Sequence, residues 1–152
     1  GPLRENFSSI KKFNIIIING DKNQKFEDKV KKIAPNINIF YSEYYPVDTS
    51  KYANKDFLAF AGIGNPDSFF ELMENNKLNI KEKVAYPDHY NFSQKDIKHL
   101  FEIAHNKKLD LITTEKDFYR LKKMGLNNID FFAIKLKIHN EQEFIKRIKE
   151  CI

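Results

Sequence analysis

The segment "YPDHYNFSQKD" at residues 86–96 carries the residue types best suited to proton transfer. Asp88 and His89 follow directly after a proline. A histidine exchanges a proton near neutral pH, and a nearby carboxylate fixes its tautomer and raises its basicity. Neighbouring residues in an extended segment point to opposite faces, so Asp88 need not contact His89, which would then require a carboxylate from elsewhere. These residues alone leave two interpretations open, a proton-transfer site and a surface histidine in a turn.

A second segment, "AGIGNPDSFF", could bind an anion. Gly62 and Gly64 follow a strand-like run and Asn65 opens a helix, so backbone N–H groups could face a phosphate. The segment is not a dinucleotide-binding fingerprint, because Asp67 occupies the position of the third small residue. The alternative is a tight strand-to-helix turn, with Asn65 as the cap and Pro66 at the first helical position.

The third segment, "LITTEKDF", leads from a strand-like run into a helical pattern. Thr114 and Asp117 have the spacing of a helix capping box. Thr113, Glu115 and Lys116 would also project from a strand end, where an adenine or a phosphate could rest. Capping alone and a nucleotide-binding role for Thr114, Glu115 and Lys116 both stay open.

Apolar runs of strand length alternate with helical patterns along the chain, as is typical of βα units. We predict an α/β fold, with a mostly parallel sheet of about five or six strands and helices on both faces. The predicted strands are at residues 13–20, 37–45, 57–64, 79–86, 109–113 and 129–138, with helices at 25–34, 65–76, 93–107, 114–125 and 140–152. Ligands of such sheets bind beyond the carboxyl ends of the strands, where the three segments above lie.

The composition is that of one ordinary globular domain. Of the 152 residues, 41% are hydrophobic and 31% are charged, which is enough to bury a single core. A net charge of +5 mildly favours polyanionic partners, but the basic residues are spread over all the predicted helices. We therefore predict no nucleic-acid partner, and keep a non-catalytic nucleotide- or nucleic-acid-binding domain as the alternative function.

Several kinds of site have no sequence signal. The sequence contains no G-x-x-x-x-G-K-[ST] segment for a triphosphate and no zinc-ligand spacing of Cys and His, so we predict no metal site within the chain. No apolar run reaches the roughly 18 residues of a membrane span. The helix at residues 140–152 is amphipathic, which is typical of packing on a sheet or of lying on a membrane. Its apolar side consists of Phe144, Ile145, Ile148 and Ile152.

Four segments, in this order and with these separations, resemble one family. They are "GPLREN", "AFAGIGNPDSFF", "YPDHYNF" and "LITTEKDF". Together they resemble the C-terminal half of tetraacyldisaccharide 4'-kinase, the ATP-dependent enzyme that phosphorylates the distal sugar of a lipid disaccharide 1-phosphate in lipid A synthesis. The resemblance covers nearly the whole chain and implies a lipid-sugar kinase.

The resemblance implies a two-lobed kinase whose N-terminal lobe carries the P-loop, the magnesium-binding carboxylates, a catalytic aspartate and a membrane-inserted segment. In the family that aspartate pairs with the histidine of a "PDH" motif, which is His89 here. Asp88 would shape the turn or orient the ring. Arg4 and Glu5 match the "LRE" motif near the family's active cleft, where Arg4 could meet phosphate and Glu5 could hold water or metal.

The resemblance also sets expectations for the chain as a whole. Residues 1–12 would be an inter-lobe segment and linker, and residues 13–152 the C-terminal α/β lobe, with residues 1–5 native rather than the remnant of a tag. ATP and Mg²⁺ would bind mainly to the N-terminal lobe, which would be a partner together with the lipid disaccharide 1-phosphate and the membrane surface. The full protein would act at the cytoplasmic face of the bacterial inner membrane. We expect this chain to be soluble and, alone, inactive as a kinase.

Overall fold

The structure is a computed structural model, and it describes residues 5–151. Short 3₁₀ helices lie at Phe7–Lys12 and Ser50–Tyr52. The strands within the described range are β1 (Ile15–Asn19), β2 (Asn38–Pro46), β3 (Asp56–Ala61), β4 (Asn79–Ala85), β5 (Asp110–Thr114), β6 (Asp130–Phe132) and β7 (Ile134–Ile138). The α-helices are α1 (Gln24–Ile33), α2 (Pro66–Asn75), α3 (Gln94–Lys107), α4 (Glu115–Lys122) and α5 (Glu141–Glu150). Helices and strands therefore alternate through most of the chain.

The chain divides into two compact units. The first contains the described residues up to Tyr45 and those from Lys135 onward, and the second is Pro46–Ile134. The first unit contains a sheet of order β1-β2-β7, in which β1 and β2 are parallel, with Ile15 opposite Asn38. The second contains a parallel sheet of order β4-β3-β5-β6. The predicted α/β class is confirmed.

Strand β3 is the centre of the second unit, because side chains from both of its faces are buried. Successive side chains of a strand point to opposite faces. Phe57, Ala59 and Ala61 belong to a cluster with residues of α2. Leu58 and Phe60 belong to a second cluster with residues of α3 and α4, and all five side chains are completely buried. A continuous apolar run is what a strand covered on both faces requires.

The single predicted sheet is two sheets in the structure, and the change occurs within residues 129–138. These residues were predicted as one strand, but they form β6, which pairs with β5, and β7, which lies beside β2. The interruption is at Ala133, whose carbonyl accepts a hydrogen bond from the Val47 N–H at 3.0 Å. An apolar run does not show where a strand changes its pairing partner, because the partner is distant in sequence.

Two helices begin close to their predicted first residues, each at a residue whose side chain caps the helix. Asn65 caps α2, with Pro66 in the first turn, and its side chain accepts a hydrogen bond from the Ser68 N–H at 3.3 Å. Ser93 and Asp96 form a complete capping box at the start of α3. Such contacts lie within one helical turn, so the local sequence specifies them without help from the rest of the fold.

The apolar side of α5 is partly covered by the first sheet. The Phe144 ring lies 5.2 Å from the Phe40 ring of β2, measured between centroids. Ile145 is 44% exposed, and Ile152 lies outside the described residues. Packing on a sheet, one of the two alternatives for this helix, is therefore observed for Phe144. Throughout residues 5–151, each helix is too short or too polar to cross a membrane.

Candidate functional site

Three loops meet at the carboxyl end of the second sheet. Strand β3 lies between β4 and β5, so the segments that follow these strands are neighbours. The His89 N–H donates to the Gly62 carbonyl at 3.2 Å and joins the β4 loop to the β3 loop. The Gly62 N–H donates to Asp117 Oδ2 at 2.8 Å and joins the β3 loop to the start of α4. The structure thus brings together the three segments that the sequence singled out.

His89 occupies an exposed turn at this edge of the sheet. Its φ is +58°, in the left-handed region, and the Tyr90 N–H closes the turn by donating to the Pro87 carbonyl at 3.1 Å. Because the backbone turns here, Asp88 Oδ2 lies 3.8 Å from His89 Nε2, within ion-pair range but too far for a hydrogen bond. The His89 side chain is 75% exposed, so the ring is accessible from solvent.

Lys116 contacts the other nitrogen of the imidazole. The Lys116 Nζ atom lies 3.2 Å from His89 Nδ1. An ammonium group only donates hydrogen bonds, so Nδ1 accepts and the proton of the neutral ring is on Nε2. That nitrogen faces the side on which Asp88 lies. The sequence pointed to Lys116 as a nucleotide contact, and no sequence signal indicated its contact with His89.

Asp117 is a fully buried carboxylate that connects α4 to the loop after β3. Its Oδ2 accepts hydrogen bonds from the Gly62 N–H at 2.8 Å and from the Thr114 hydroxyl at 3.1 Å. The Asp117 N–H donates to Thr114 Oγ1 at 3.1 Å, so Thr114 caps α4 as predicted. The carboxylate, however, binds a neighbouring loop, a role that the capping interpretation missed. A buried carboxylate is stable only when it is paired and hydrogen-bonded, so these contacts hold helix and loop together.

Arg120, also on α4, joins Asp117 to the His89 turn. The Arg120 Nη1 atom lies 3.3 Å from Asp117 Oδ1. The Nη2 atom donates to the Tyr90 carbonyl at 2.6 Å and to Asn91 Oδ1 at 2.9 Å. The His89 carbonyl is 3.4 Å from the same nitrogen. Sequence reasoning missed this residue, because an acid and a base three positions apart on a helix usually form a surface pair.

Aromatic rings support the same turn from another side. Tyr90 stacks on Tyr86 with ring centroids 4.8 Å apart, and Phe92 packs against both rings. The Tyr90 hydroxyl donates to Asp96 Oδ2 at 3.2 Å. Burial, and then the nearby Asp96 charge, raises the pKa of Tyr90, whereas hydrogen bonds from Ser93 lower the pKa of Asp96. Tyr90 is therefore neutral and Asp96 ionised at neutral pH, and the hydrogen bond between them is maintained.

The whole sequence matches one protein family. The family is described as "LpxK: Tetraacyldisaccharide-1-P 4'-kinase", and the match extends over residues 1–152. The chain belongs to this kinase family. The resemblance seen in four sequence segments is thereby confirmed, and three of those segments contain the loops that meet at the edge of the second sheet.

Relatives in the tetraacyldisaccharide-1-P 4'-kinase family are about one third identical to the chain. The tetraacyldisaccharide 4'-kinase of Pelagibacter ubique (strain HTCC1062) is 35% identical over 151 residues, which are 97% of this chain and 48% of that protein. The tetraacyldisaccharide 4'-kinase of Rickettsia akari (strain Hartford) is 32% identical, over 97% of this chain and 45% of that protein. The chain spans about half the length of the curated relatives it matches.

A solved structure from the tetraacyldisaccharide-1-P 4'-kinase family has a similar fold. It is described as the crystal structure of the "apo" form of LpxK from Aquifex aeolicus in complex with ATP. The TM-score is 0.61 at 19% sequence identity, and the match covers 97% of this chain and 45% of that one. At this level of identity the likeness shows the fold alone, which agrees with the predicted class.

The other candidate residues at the strand ends differ in exposure and in their contacts. Asn65 is engaged as the cap of α2, and Glu115 is exposed at the start of α4. Gly64 is exposed in the loop after β3. The Thr113 hydroxyl is fully buried and donates to the Phe60 carbonyl at 2.7 Å, so it joins two strands rather than facing a ligand.

Of the two candidate residues in the "LRE" segment, Glu5 is the one that the structure describes. Glu5 is exposed and belongs to the first unit, and Arg4 lies outside the described residues. In the part of the chain that the structure describes, no group of three or more His, Cys, Asp or Glu side chains is arranged to hold a metal ion. The roles of Arg4 and Glu5 remain predictions.

Gly62→Ala is expected to lower the free energy of unfolding by about 1 to 3 kcal/mol. A Cβ atom at this position would lie 3.3 Å from Tyr90 Cβ and 3.5 Å from Phe92 Cζ, in a packed region. Gly64→Ala is the matched control, because its Cβ would meet Asp88 Oδ2 at an ordinary distance of 3.5 Å. Urea denaturation followed by circular dichroism measures both variants, and equal midpoints for the two would contradict the expectation.

Proposed function

We propose that this chain is the C-terminal part of an ATP-dependent kinase that phosphorylates the 4'-position of a tetraacyldisaccharide 1-phosphate in lipid A synthesis. Membership of the tetraacyldisaccharide-1-P 4'-kinase family supports this activity. The coverage of about half of each curated relative supports a partner half of similar length. The relative described in complex with ATP supports ATP as the phosphoryl donor.

His89 is the catalytic residue that we assign to this chain, and the observation that carries the assignment is its exposed ring on a well-supported turn. In the transfer, the 4'-hydroxyl attacks the γ-phosphorus of ATP, the bond to the ADP oxygen breaks, and a base takes the hydroxyl proton. The His89 Nε2–H donates to a carboxylate of the N-terminal half and orients that base. Lys116 donates a hydrogen bond to Nδ1, which leaves the proton of the neutral ring on Nε2. The Asp88 carboxylate places a negative charge on the Nε2 side of the ring.

The phosphate- and metal-binding functions belong, in this proposal, to the N-terminal half. The sequence has no P-loop, and among residues 5–151 no group of three or more His, Cys, Asp or Glu side chains is arranged to hold a metal ion. Arg4 as a phosphate contact and Glu5 as a ligand of water or metal rest on the "LRE" match. The residues proposed to contact the nucleotide or the sugar, because their loops adjoin His89, are Gly62, Gly64, Asn65, Thr114, Glu115 and Lys116.

The parent protein is proposed to act at the cytoplasmic face of the bacterial inner membrane, since its lipid substrate is membrane-bound. A substrate with four acyl chains buries too much apolar surface to leave the bilayer readily. The contact with the membrane is assigned to the N-terminal half.

Phosphoryl transfer by the full-length protein tests the proposed function. The protein is incubated with ATP, Mg²⁺ and a tetraacyldisaccharide 1-phosphate, and the lipid is examined by mass spectrometry while ADP release is followed by a coupled assay. We expect the lipid to gain one phosphoryl group for each ADP formed. The 152-residue chain alone, assayed in parallel, is expected to form neither product.

The assay of the full-length protein and the assay of the isolated chain test different parts of the proposal. Absence of phosphorylated lipid with the full-length protein would overturn the kinase function. ATP turnover by the isolated chain would overturn the requirement for the N-terminal half. Filter binding of a labelled oligonucleotide at two salt concentrations tests the alternative function, and strong salt-sensitive binding would favour a nucleic-acid-binding domain.

A further inference from the structure

Two supports, each a set of hydrogen bonds, hold the His89 turn, and both lead to the buried carboxylate of Asp117. On one side, the His89 N–H donates to the Gly62 carbonyl, and the Gly62 N–H donates to Asp117 Oδ2. On the other side, Arg120 binds oxygen atoms of residues 89–91 through Nη2 and Asp117 Oδ1 through Nη1. Asp117 is therefore the common anchor of both supports.

The turn requires support because its backbone conformation is unfavourable. A residue other than glycine in the left-handed region costs about 1 to 3 kcal/mol, and it persists where its surroundings hold it. The φ of His89 is +58°, and its side chain is 75% exposed. The direction of the ring therefore depends on the backbone contacts of the turn more than on packing of the ring itself.

The guanidinium group of Arg120 can bind Asp117 and the His89 turn at the same time. A guanidinium group is planar, permanently charged and able to donate several hydrogen bonds in fixed directions, whereas a lysine ammonium is a single charged centre. Arg120 uses one nitrogen for the Tyr90 carbonyl and Asn91 Oδ1 and another for Asp117. The Asp117 side chain is 0% exposed and that of Arg120 31% exposed, so the carboxylate of this ion pair is shielded from water.

We propose that Asp117 and Arg120 are positioning residues for His89, which act through the backbone of residues 89–91 to aim the imidazole. The inference rests on the catalytic role proposed for His89 and deepens it. Asp117 holds both the Gly62 N–H and the Arg120 guanidinium in place. Arg120 in turn holds the carbonyl oxygens of the turn.

Arg120→Lys in the full-length protein tests the proposal through a double-mutant cycle. The lysine retains a positive charge for Asp117 but does not reach all the oxygen atoms of the turn. We expect kcat to fall about tenfold with KM for ATP unchanged when His89 is present, because small misplacement of a catalytic group costs one to two orders of magnitude. In a His89→Ala background the same change is expected to cost less than about twofold. Arg147→Lys, at a partly exposed arginine paired with Glu143 and Glu150, is the matched control.

The 152-residue chain provides a readout that does not depend on activity. ¹⁵N relaxation of the amides of residues 89–91 measures their order parameters, and the three-bond coupling of the His89 amide reports its φ. We expect Arg120→Lys to lower the order parameters from about 0.85 toward about 0.6 and to change the coupling, whereas Arg147→Lys leaves both unchanged.

The outcomes distinguish this inference from the proposed function. An equal loss of kcat in both backgrounds of the cycle would overturn positioning, since a purely structural defect acts whether or not His89 is present. Unchanged order parameters and coupling in the Arg120→Lys chain would overturn it as well. A full-length protein without any kinase activity would overturn the proposed function, and the relaxation measurement would still decide whether Arg120 holds the turn.

Discussion

Replacement of His89 by asparagine or alanine in the full-length protein is expected to lower kcat by about 10² to 10³, the effect of removing a group that orients or assists a general base. Asparagine is the more informative variant, because it tolerates the left-handed backbone that His89 adopts at φ +58°. Alanine removes the same imidazole but adds backbone strain. Similar losses for the two variants would assign the effect to the ring rather than to the turn.

His99→Asn is the matched control for this experiment. His99 is also exposed in the second unit, on α3, and has no part in the His89 turn. We expect its kcat and KM to remain within about twofold of the starting protein, as for most surface substitutions. The measurement is steady-state phosphorylation of the lipid at varied ATP and lipid concentrations. If the His89 variants change KM alone, the imidazole binds substrate and does not assist catalysis.

Asp117→Ala is expected to lower the free energy of unfolding of the second unit by about 3 to 5 kcal/mol, because one partner of a buried charge pair is removed. The substitution leaves the Gly62 N–H and the Thr114 hydroxyl without their acceptor and Arg120 without its carboxylate. A loss of this size is a large part of the 5 to 15 kcal/mol that stabilises a typical domain. Native-state hydrogen exchange of the β3 amides measures it, since those amides exchange when the core of this unit opens.

Asp67→Ala is the matched control for Asp117. Asp67 also lies in the first turn of a helix, but it is exposed. Its removal is expected to cost less than about 1 kcal/mol, the usual effect of an acidic residue near an exposed helix N-terminus. Comparable losses for Asp67→Ala and Asp117→Ala would show that the buried hydrogen bonds of Asp117 contribute little beyond this helix-end effect.

Local sequence patterns predicted much of the fold. The apolar run at residues 57–64 predicted a buried strand, and Phe57 to Ala61 are all fully buried. Asn65 and Ser93 predicted two helix starts, because a cap needs only the residues of one turn. The prediction of one strand at 129–138 was wrong, since the division into β6 and β7 depends on their pairing with β5 and β2 rather than on the run itself.

The sequence by itself determined the family, the α/β class, the candidate histidine and the three segments around it. Only the tertiary structure decided how those segments meet: Lys116 contacts a ring 27 positions away, and Asp117 accepts from an amide 55 positions away. These contacts exist because β3 lies between β4 and β5, an order that no single segment encodes. A helix cap involves neighbours along the chain, whereas the support of His89 involves neighbours in space, and hydrogen bonds of the second kind form only once the sheet has brought their partners together.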